Sequence, residues 1–243
     1  MKHLLRLVPV LGALMLAGIA RGDGLRTSLR LLAFHPGLSA PEVFLHDPSA
    51  AEETAAVKAE IKSYLNHEAF PLVLTGRKLV ITTSPDRASI TRDADRVGVA
   101  TLPDGARSAI LLFLPAAPDA KSKAQILPIE DSKKAFPAGS FRVSNLSPRP
   151  VRIMLEKENF DFKPGQTLLI EDPPVRENQH SGMKAFAFTD NEWRRIGSGL
   201  WPHPGTSRTL QILFHNPASG QVQMRAFDDV PPRDPEPEPA AIP

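Results

Sequence analysis

Apolar and polar positions alternate along this chain in short runs, and a proline or glycine closes nearly every run. Such runs are Glu42 to Leu45, Leu72 to Leu74, Lys78 to Thr82, Ala109 to Leu114, Phe141 to Ser144, Val151 to Leu155, Thr167 to Ile170, Met183 to Phe188 and Leu210 to Phe214. A period of two bounded by turn residues predicts half-buried strands, and strands spaced at about 8–12 residues predict sandwiches. Pro36, Pro41, Pro48, Pro103, Pro115, Pro148, Pro164 and Pro173 fall at strand ends and turns, where a missing N–H is tolerated. Thr189-Asp190-Asn191-Glu192 predicts a hairpin tip before Trp193. One stretch is ambiguous. Glu52 to Leu65 fits a helix through Val57, Ile61 and Leu65, or a strand through Val57, Ala59, Ile61 and Ser63; a strand over Val57 to Leu65 is favoured.

The pattern repeats. Ser28 to Pro36 (SLRLLAFHP) aligns without a gap on Ser140 to Pro148 (SFRVSNLSP). Further matches follow in the same order. Phe70 to Ile81 resembles Phe160 to Ile170, and Val97-Gly98-Val99 resembles Ile196-Gly197-Ser198. Arg107 to Phe113 resembles Arg208 to Phe214, and Ile129-Glu130-Asp131 resembles Phe227-Asp228-Asp229. Each match alone is weak, because exposed strands share alternation. Their common order predicts a tandem duplication of about 100 residues per copy. The expected architecture is all-β, with two tandem, internally similar, immunoglobulin-like β-sandwich domains. Their bounds are 23–133 and 134–230, between a signal peptide at 1–22 and a disordered Pro-rich tail at 231–243.

The ends set the expected compartment. Lys2 and Arg6 precede an apolar run from Leu7 to Ile19, and Ala20-Arg21-Gly22 offers a small-residue cleavage site. That run is shorter than the roughly 20 residues of a membrane span. There is no cysteine, which removes disulfides, thiol catalysis and Cys-based zinc sites. Cleavage also changes the charge. The 29 basic residues less Lys2, Arg6 and Arg21 leave 26 against 27 acidic ones, a net of −1. No overall electrostatic case for nucleic acid remains. The expected location is periplasmic or extracellular, with no stable membrane span after cleavage.

Phe136-Pro137-Ala138-Gly139-Ser140-Phe141-Arg142, Asn145-Leu146-Ser147-Pro148, Val151-Arg152 and the late block Leu210 to Gly220 carry a resemblance. They resemble a family of uncharacterised secreted, β-rich proteins of Verrucomicrobiota-type bacteria. The resemblance spans most of the mature chain. It implies an exported β fold and no catalytic residue.

Candidate chemistry is sparse. His35, His46, His67, His180, His203 and His215 form no metal-binding spacing, although His35 with His46, and His203 with His215, end neighbouring strand candidates. Ile196-Gly197-Ser198-Gly199 is the nearest approach to a nucleophile elbow, and its repeat partner has Val99 in place of Ser198. Glu130-Asp131, Glu171-Asp172 and Asp228-Asp229 are adjacent acids, which on a strand point to opposite faces. The first and last pairs read as strand-end caps or interdomain contacts. No Gly-rich phosphate loop is present. Catalytic, metal and cofactor residues are therefore assigned as none. Trp201 aligns with Leu102 and reads as core. Trp193, beside a hairpin tip and next to Arg194 and Arg195, is the candidate partner-binding site. The expected function is an exported, non-enzymatic binding or structural module of the cell envelope, with an envelope protein or glycan as partner. One alternative is a secreted hydrolase or carbohydrate-active enzyme whose site is assembled by folding. The other is a subunit of an envelope assembly, which a long exposed edge strand would support.

Overall fold

The computed structural model describes residues 24–231; the expected signal peptide at 1–22 and the tail beyond Pro231 lie outside the described residues. The chain forms two β-sandwich domains of eight strands each. Domain 1 holds β1 (Leu25–Ala33), β2 (Ala40–His46), β3 (Val57–Ile61), β4 (Phe70–Leu74), β5 (Lys78–Thr82), β6 (Arg96–Thr101), β7 (Ser108–Pro115) and β8 (Ala124–Glu130). Domain 2 holds β9 (Phe141–Asn145), β10 (Val151–Leu155), β11 (Glu158–Phe162), β12 (Thr167–Ile170), β13 (His180–Thr189), β14 (Glu192–Pro202), β15 (Arg208–Asn216) and β16 (Gln221–Asp229). Of the strand expected over Val57 to Leu65 only the first half forms, as β3, which ends at Ile61.

The strand orders are β4-β1-β7-β8 and β3-β2-β5-β6 in domain 1, and β12-β9-β15-β16 and β11-β10-β13-β14 in domain 2. Adding eight to each strand number of the first domain gives the second. Even the parallel pairs correspond, β1 with β7 and β9 with β15. The turns before β7 and β15 keep the same device. Gly105 and Gly205 sit at φ 67° and 63°, a conformation that costs glycine nothing.

This topology corrects two of the repeat matches. Phe70 to Ile81 covers β4 and β5, whereas Phe160 to Ile170 covers β11 and β12, so that match slips by one whole strand. Arg107 to Phe113 on Arg208 to Phe214 slips by one residue. The pairings Leu29 with Ala109 and Phe141 with Thr209 make Ser108, not Arg107, the counterpart of Arg208. A period-two pattern matches itself at many offsets, and a one-residue slip exchanges the faces.

The four sheets stack as four layers with three apolar cores between them. Leu29, Leu31, Val43, Leu45, Leu79, Ile81, Leu111 and Phe113 belong to the core of domain 1. Val143, Val151, Ile153, Phe162, Ala185 and Trp201 belong to that of domain 2. The third core lies between the domains. Leu32, Phe34, Ile110, Leu112 and Ile129 of the first pack with Leu210, Ile212 and Phe227 of the second, around Phe136 of the linker. The central strands β1 and β7 are therefore apolar on both faces apart from Arg30, as strands buried on both sides require.

Charge is buried in this seam. Arg30 of β1 donates from Nε and Nη2 to Asp131 at 2.8–3.0 Å, and from Nη1 and Nη2 to Asp229 at 2.6–2.8 Å. Arg208 donates from Nε to Asp229 at 2.8 Å and from Nη2 to Asp131. All four side chains are 2% exposed or less. Two guanidinium groups against two carboxylates leave no net charge, which is the condition for burying them. Remaining donors find carbonyls: Arg30 on Leu65 at 2.9 Å, Arg208 on Phe136 at 2.6 Å. The Arg208 guanidinium also stacks 4.3 Å from the Phe136 ring, so linker and seam are locked together.

Candidate functional site

The two domains differ most on their outer sheets. In domain 1 the chain between β5 and β6 runs from Thr83 to Asp95 and folds back over the sheet as a roof. Alternation points Val43, Leu45, Leu79 and Ile81 into the core, so Phe44, His46, Val80 and Thr82 face outward. They are nonetheless buried. Ser89, in the short 3-10 turn Arg87–Ile90, lies 3.0 Å from Thr82 Oγ1 and 3.3 Å from His46 Nε2. Arg87 staples the roof to the preceding loop by donating to the carbonyls of Asp47 at 3.2 Å and Ala50 at 2.8 Å. Asp86 caps the turn by accepting from the Ala88 N–H at 3.1 Å.

In domain 2 the equivalent connection is only Asp190-Asn191. Both residues take positive φ, 51° and 63°, the requirement of a tight hairpin turn of the primed type. Nothing of that loop covers the sheet. Ala185 and Ala187 fill the core, and the large rings of Phe186 and Phe188 point outward beside them. Cross-strand pairing sets Phe188 opposite Trp193 and Phe186 opposite Arg195. The Phe188 and Trp193 rings meet edge-on at 5.3 Å. The Arg152 guanidinium lies 4.5 Å over the Trp193 ring and binds Asp161 through two bonds of 2.6 and 2.8 Å. Those bonds from Arg152 hold the Asp161 carboxyl below the usual range.

Arg195 and Lys184 lie on the same face, and neither has an ion-pair partner among the described residues. Arg194 points the other way and is held by Glu192 at 2.7 Å and Asp190 at 3.1 Å. Thus, of the three residues singled out by sequence, Trp193 and Arg195 share a surface and Arg194 does not. At the far end of the face lies a depression of about 410 Å³ lined by Met154, Glu156, Lys184, Ser198 and Leu200 among others. There the Glu156 carboxyl is held below its usual range by the Gly182 N–H and then by Arg176. Between it and Trp193, six residues of β13 span roughly 20 Å.

Arrangements that catalysis would need meet obstacles. Ser89 and His46 do touch, but Ser89 is fully buried and His46 is 2% exposed, so no substrate carbonyl reaches the hydroxyl. Asp131 and Asp229 face one another, yet both are neutralised by arginine and sealed in the seam. Among the described residues no group of three or more His, Asp or Glu could hold a metal ion, and no helix is long and apolar enough to cross a membrane. His35 flanks the turn after β1 while His46 lies under the roof. His203 lies 3.7 Å from Asp172, away from His215 on β15.

His46 makes a pH prediction. Desolvation lowers its pKa, so the fold holds the ring neutral. The stability this supplies is complete above the unfolded imidazole value of about 6.5 and is lost as pH falls through the lower folded value. Urea midpoints measured from about pH 7.5 to about pH 5 should therefore fall further for the native chain than for His46→Gln.

Sequence reasoning missed the roof, the open face and the buried quartet. The difference between the 13-residue connection and the two-residue turn was visible, but not what the longer one covers. In β13 the pattern invites the opposite assignment, since phenylalanine outranks alanine as core. No known family model matches the chain, and no curated protein matches it at a significant level.

Proposed function

We propose that this chain is an exported, non-catalytic binding module of the cell envelope, in which domain 1 is a closed scaffold and the outer sheet of domain 2 is the contact surface. One observation carries the reading: the same sheet face is roofed by the chain's own loop in domain 1 and left open in domain 2, where it displays Trp193, Phe186, Phe188, Arg195 and Lys184. Export rests on the leader-like residues 1–22 and on the resemblance to secreted proteins.

The chemistry of the face favours an acidic glycan. Aromatic rings offer flat apolar area to the C–H faces of sugars, and the two cations without ion-pair partners supply charge for carboxylates. The flat, roughly 20 Å platform suits an extended polymer better than a small molecule. A protein partner is the other outcome of the test.

The test is retention of the mature chain, residues 23–243, on fractionated envelope: polysaccharide, peptidoglycan and membrane proteins. The reading predicts saturable retention on an acidic polysaccharide fraction. Trp193→Ala should weaken it about tenfold, the scale of one central aromatic contact. Lys184→Glu with Arg195→Glu should abolish it and leave the melting temperature unchanged. No retention on any fraction, or retention indifferent to these changes, contradicts the proposal.

A further inference from the structure

The eleven-residue strand β14 is the outermost strand of its sheet and, among the described residues, pairs only with β13. A long free edge is a hazard that folds normally blunt. The other edges here show the usual protections. β4 carries Pro71 and β8 carries Pro128, β3, β11 and β12 are five residues or shorter, and the nine-residue β16 carries Arg225, Asp228 and the buried charge of Asp229. The counterpart of β14, β6, is closed off by the start of β8. The Lys123 N–H donates to the Arg96 carbonyl at 3.3 Å, and a Cβ on Gly98 would lie 2.5 Å from Ile126 Cδ1. In domain 2 the same edge is parted. A Cβ on Gly197 would find its nearest neighbour, Met224, at 3.8 Å. From Ile196 to Pro202 the strand has no charge and no internal proline, and Leu200 is 61% exposed.

The strand is also self-complementary. A bulge at Ile196 shifts its alternation, so that Trp193, Arg195, Ser198 and Leu200 face outward while Arg194, Ile196, Gly197, Gly199 and Trp201 face inward. Laid antiparallel on a second copy about a twofold axis between Ile196 and Gly197, every residue meets one of the same face. Moving the axis by one residue in either direction sets an outward residue against an inward one at the centre. In the matched register Trp193, itself 37% exposed, stands opposite Leu200 of the copy. Arg195 stands opposite Ser198 and Arg194 opposite Gly199, so no like charges face each other.

We infer that β14 is a dimerisation strand, pairing antiparallel with β14 of a second copy in this one register. The pairing is isologous, satisfies both free edges and sets the two exposed apolar side chains beside each other on the joined outer face. It joins the two outer sheets into one eight-stranded sheet. The open faces of both copies then lie side by side, and a polymeric ligand gains from bivalent attachment.

Sedimentation of the mature chain at about 100 µM should give the dimer mass, since a Kd of roughly 10 µM leaves most chains paired. Leu200→Asp should be monomeric with an unchanged circular dichroism spectrum and melting temperature. The register is read with cysteines, of which the chain has none. Under mild oxidation an equimolar mixture of Arg195→Cys and Ser198→Cys should form a disulfide-linked heterodimer, and each variant alone should give several-fold less. A monomer at every concentration overturns the inference and leaves the edge to a strand from another polypeptide. Cross-linking of either variant alone as efficient as the mixture overturns the register. The retention assay is independent: a monomer that still binds envelope polysaccharide removes the dimer and leaves the proposed function standing.

Discussion

Asp229→Ala should lower the stability of the folded chain by about 3–5 kcal/mol, because it leaves guanidinium charge uncompensated in a sealed seam. Asp229 accepts from both Arg30 and Arg208, and its side chain is fully buried. Water cannot replace the lost carboxylate without opening the interface between the domains. The expected signature is a reduced denaturant midpoint and, with loss of interdomain coupling, a reduced slope. Replacing all four members together, the arginines by Met and the aspartates by Leu, should cost far less, since the desolvation penalty goes with the charges. A change below about 1 kcal/mol for the single substitution would match a solvated surface pair instead. Chemical denaturation followed by Trp fluorescence measures both variants.

Domain 1 expressed alone, residues 23–133, should fail to give a well-behaved monomer. Its inner sheet presents Leu32, Phe34, Ile110, Leu112 and Ile129 to domain 2, and each is 6% exposed or less in the intact chain. Separation uncovers them as one patch and strips Arg30 of Asp229. Fully burying one such side chain is worth about 1.5–3 kcal/mol, so five of them amount to the whole margin of a typical domain. The half-chain should aggregate or bind a hydrophobic dye strongly, and adding domain 2 should suppress both. A soluble, cooperative, dye-silent half-chain would show that the third core is a docked surface and not part of the folding unit.

Both predictions concern the part of the molecule that the sequence disguised. Strands, turns and the doubled architecture were legible because period-two alternation and proline placement are local signals; β5, β10 and β12 match their expected runs residue for residue. The seam was not. Leu29 to Phe34 reads as one apolar run, and whether it faces one partner sheet or two depends on what packs across it. Arg30 lies on the face opposite Leu29 and Leu31, where alternation alone leaves a charge exposed, yet the structure buries it. Only its partners, 101 and 199 residues away, explain it. At the candidate site Trp193 was legible from its place beside a hairpin, and its neighbours were not. Phe186 and Phe188 point outward because the positions beside them, filled by alanine, face a core already occupied by Ile153, Phe162 and Trp201. The openness of that face is a difference between two copies of one topology, and it became visible only when the copies were compared strand for strand.

The central claim is that contact is made through the open face of domain 2. Hydroxyl-radical footprinting of the mature chain, with and without the retained envelope fraction, tests it most directly. Met154, Phe188 and Trp193 are oxidisable side chains of that face. The account predicts that the fraction protects these three and leaves Tyr64 of domain 1, 54% exposed, as reactive as before. Retention accompanied by protection of Tyr64, with Met154 and Trp193 unchanged, would contradict it.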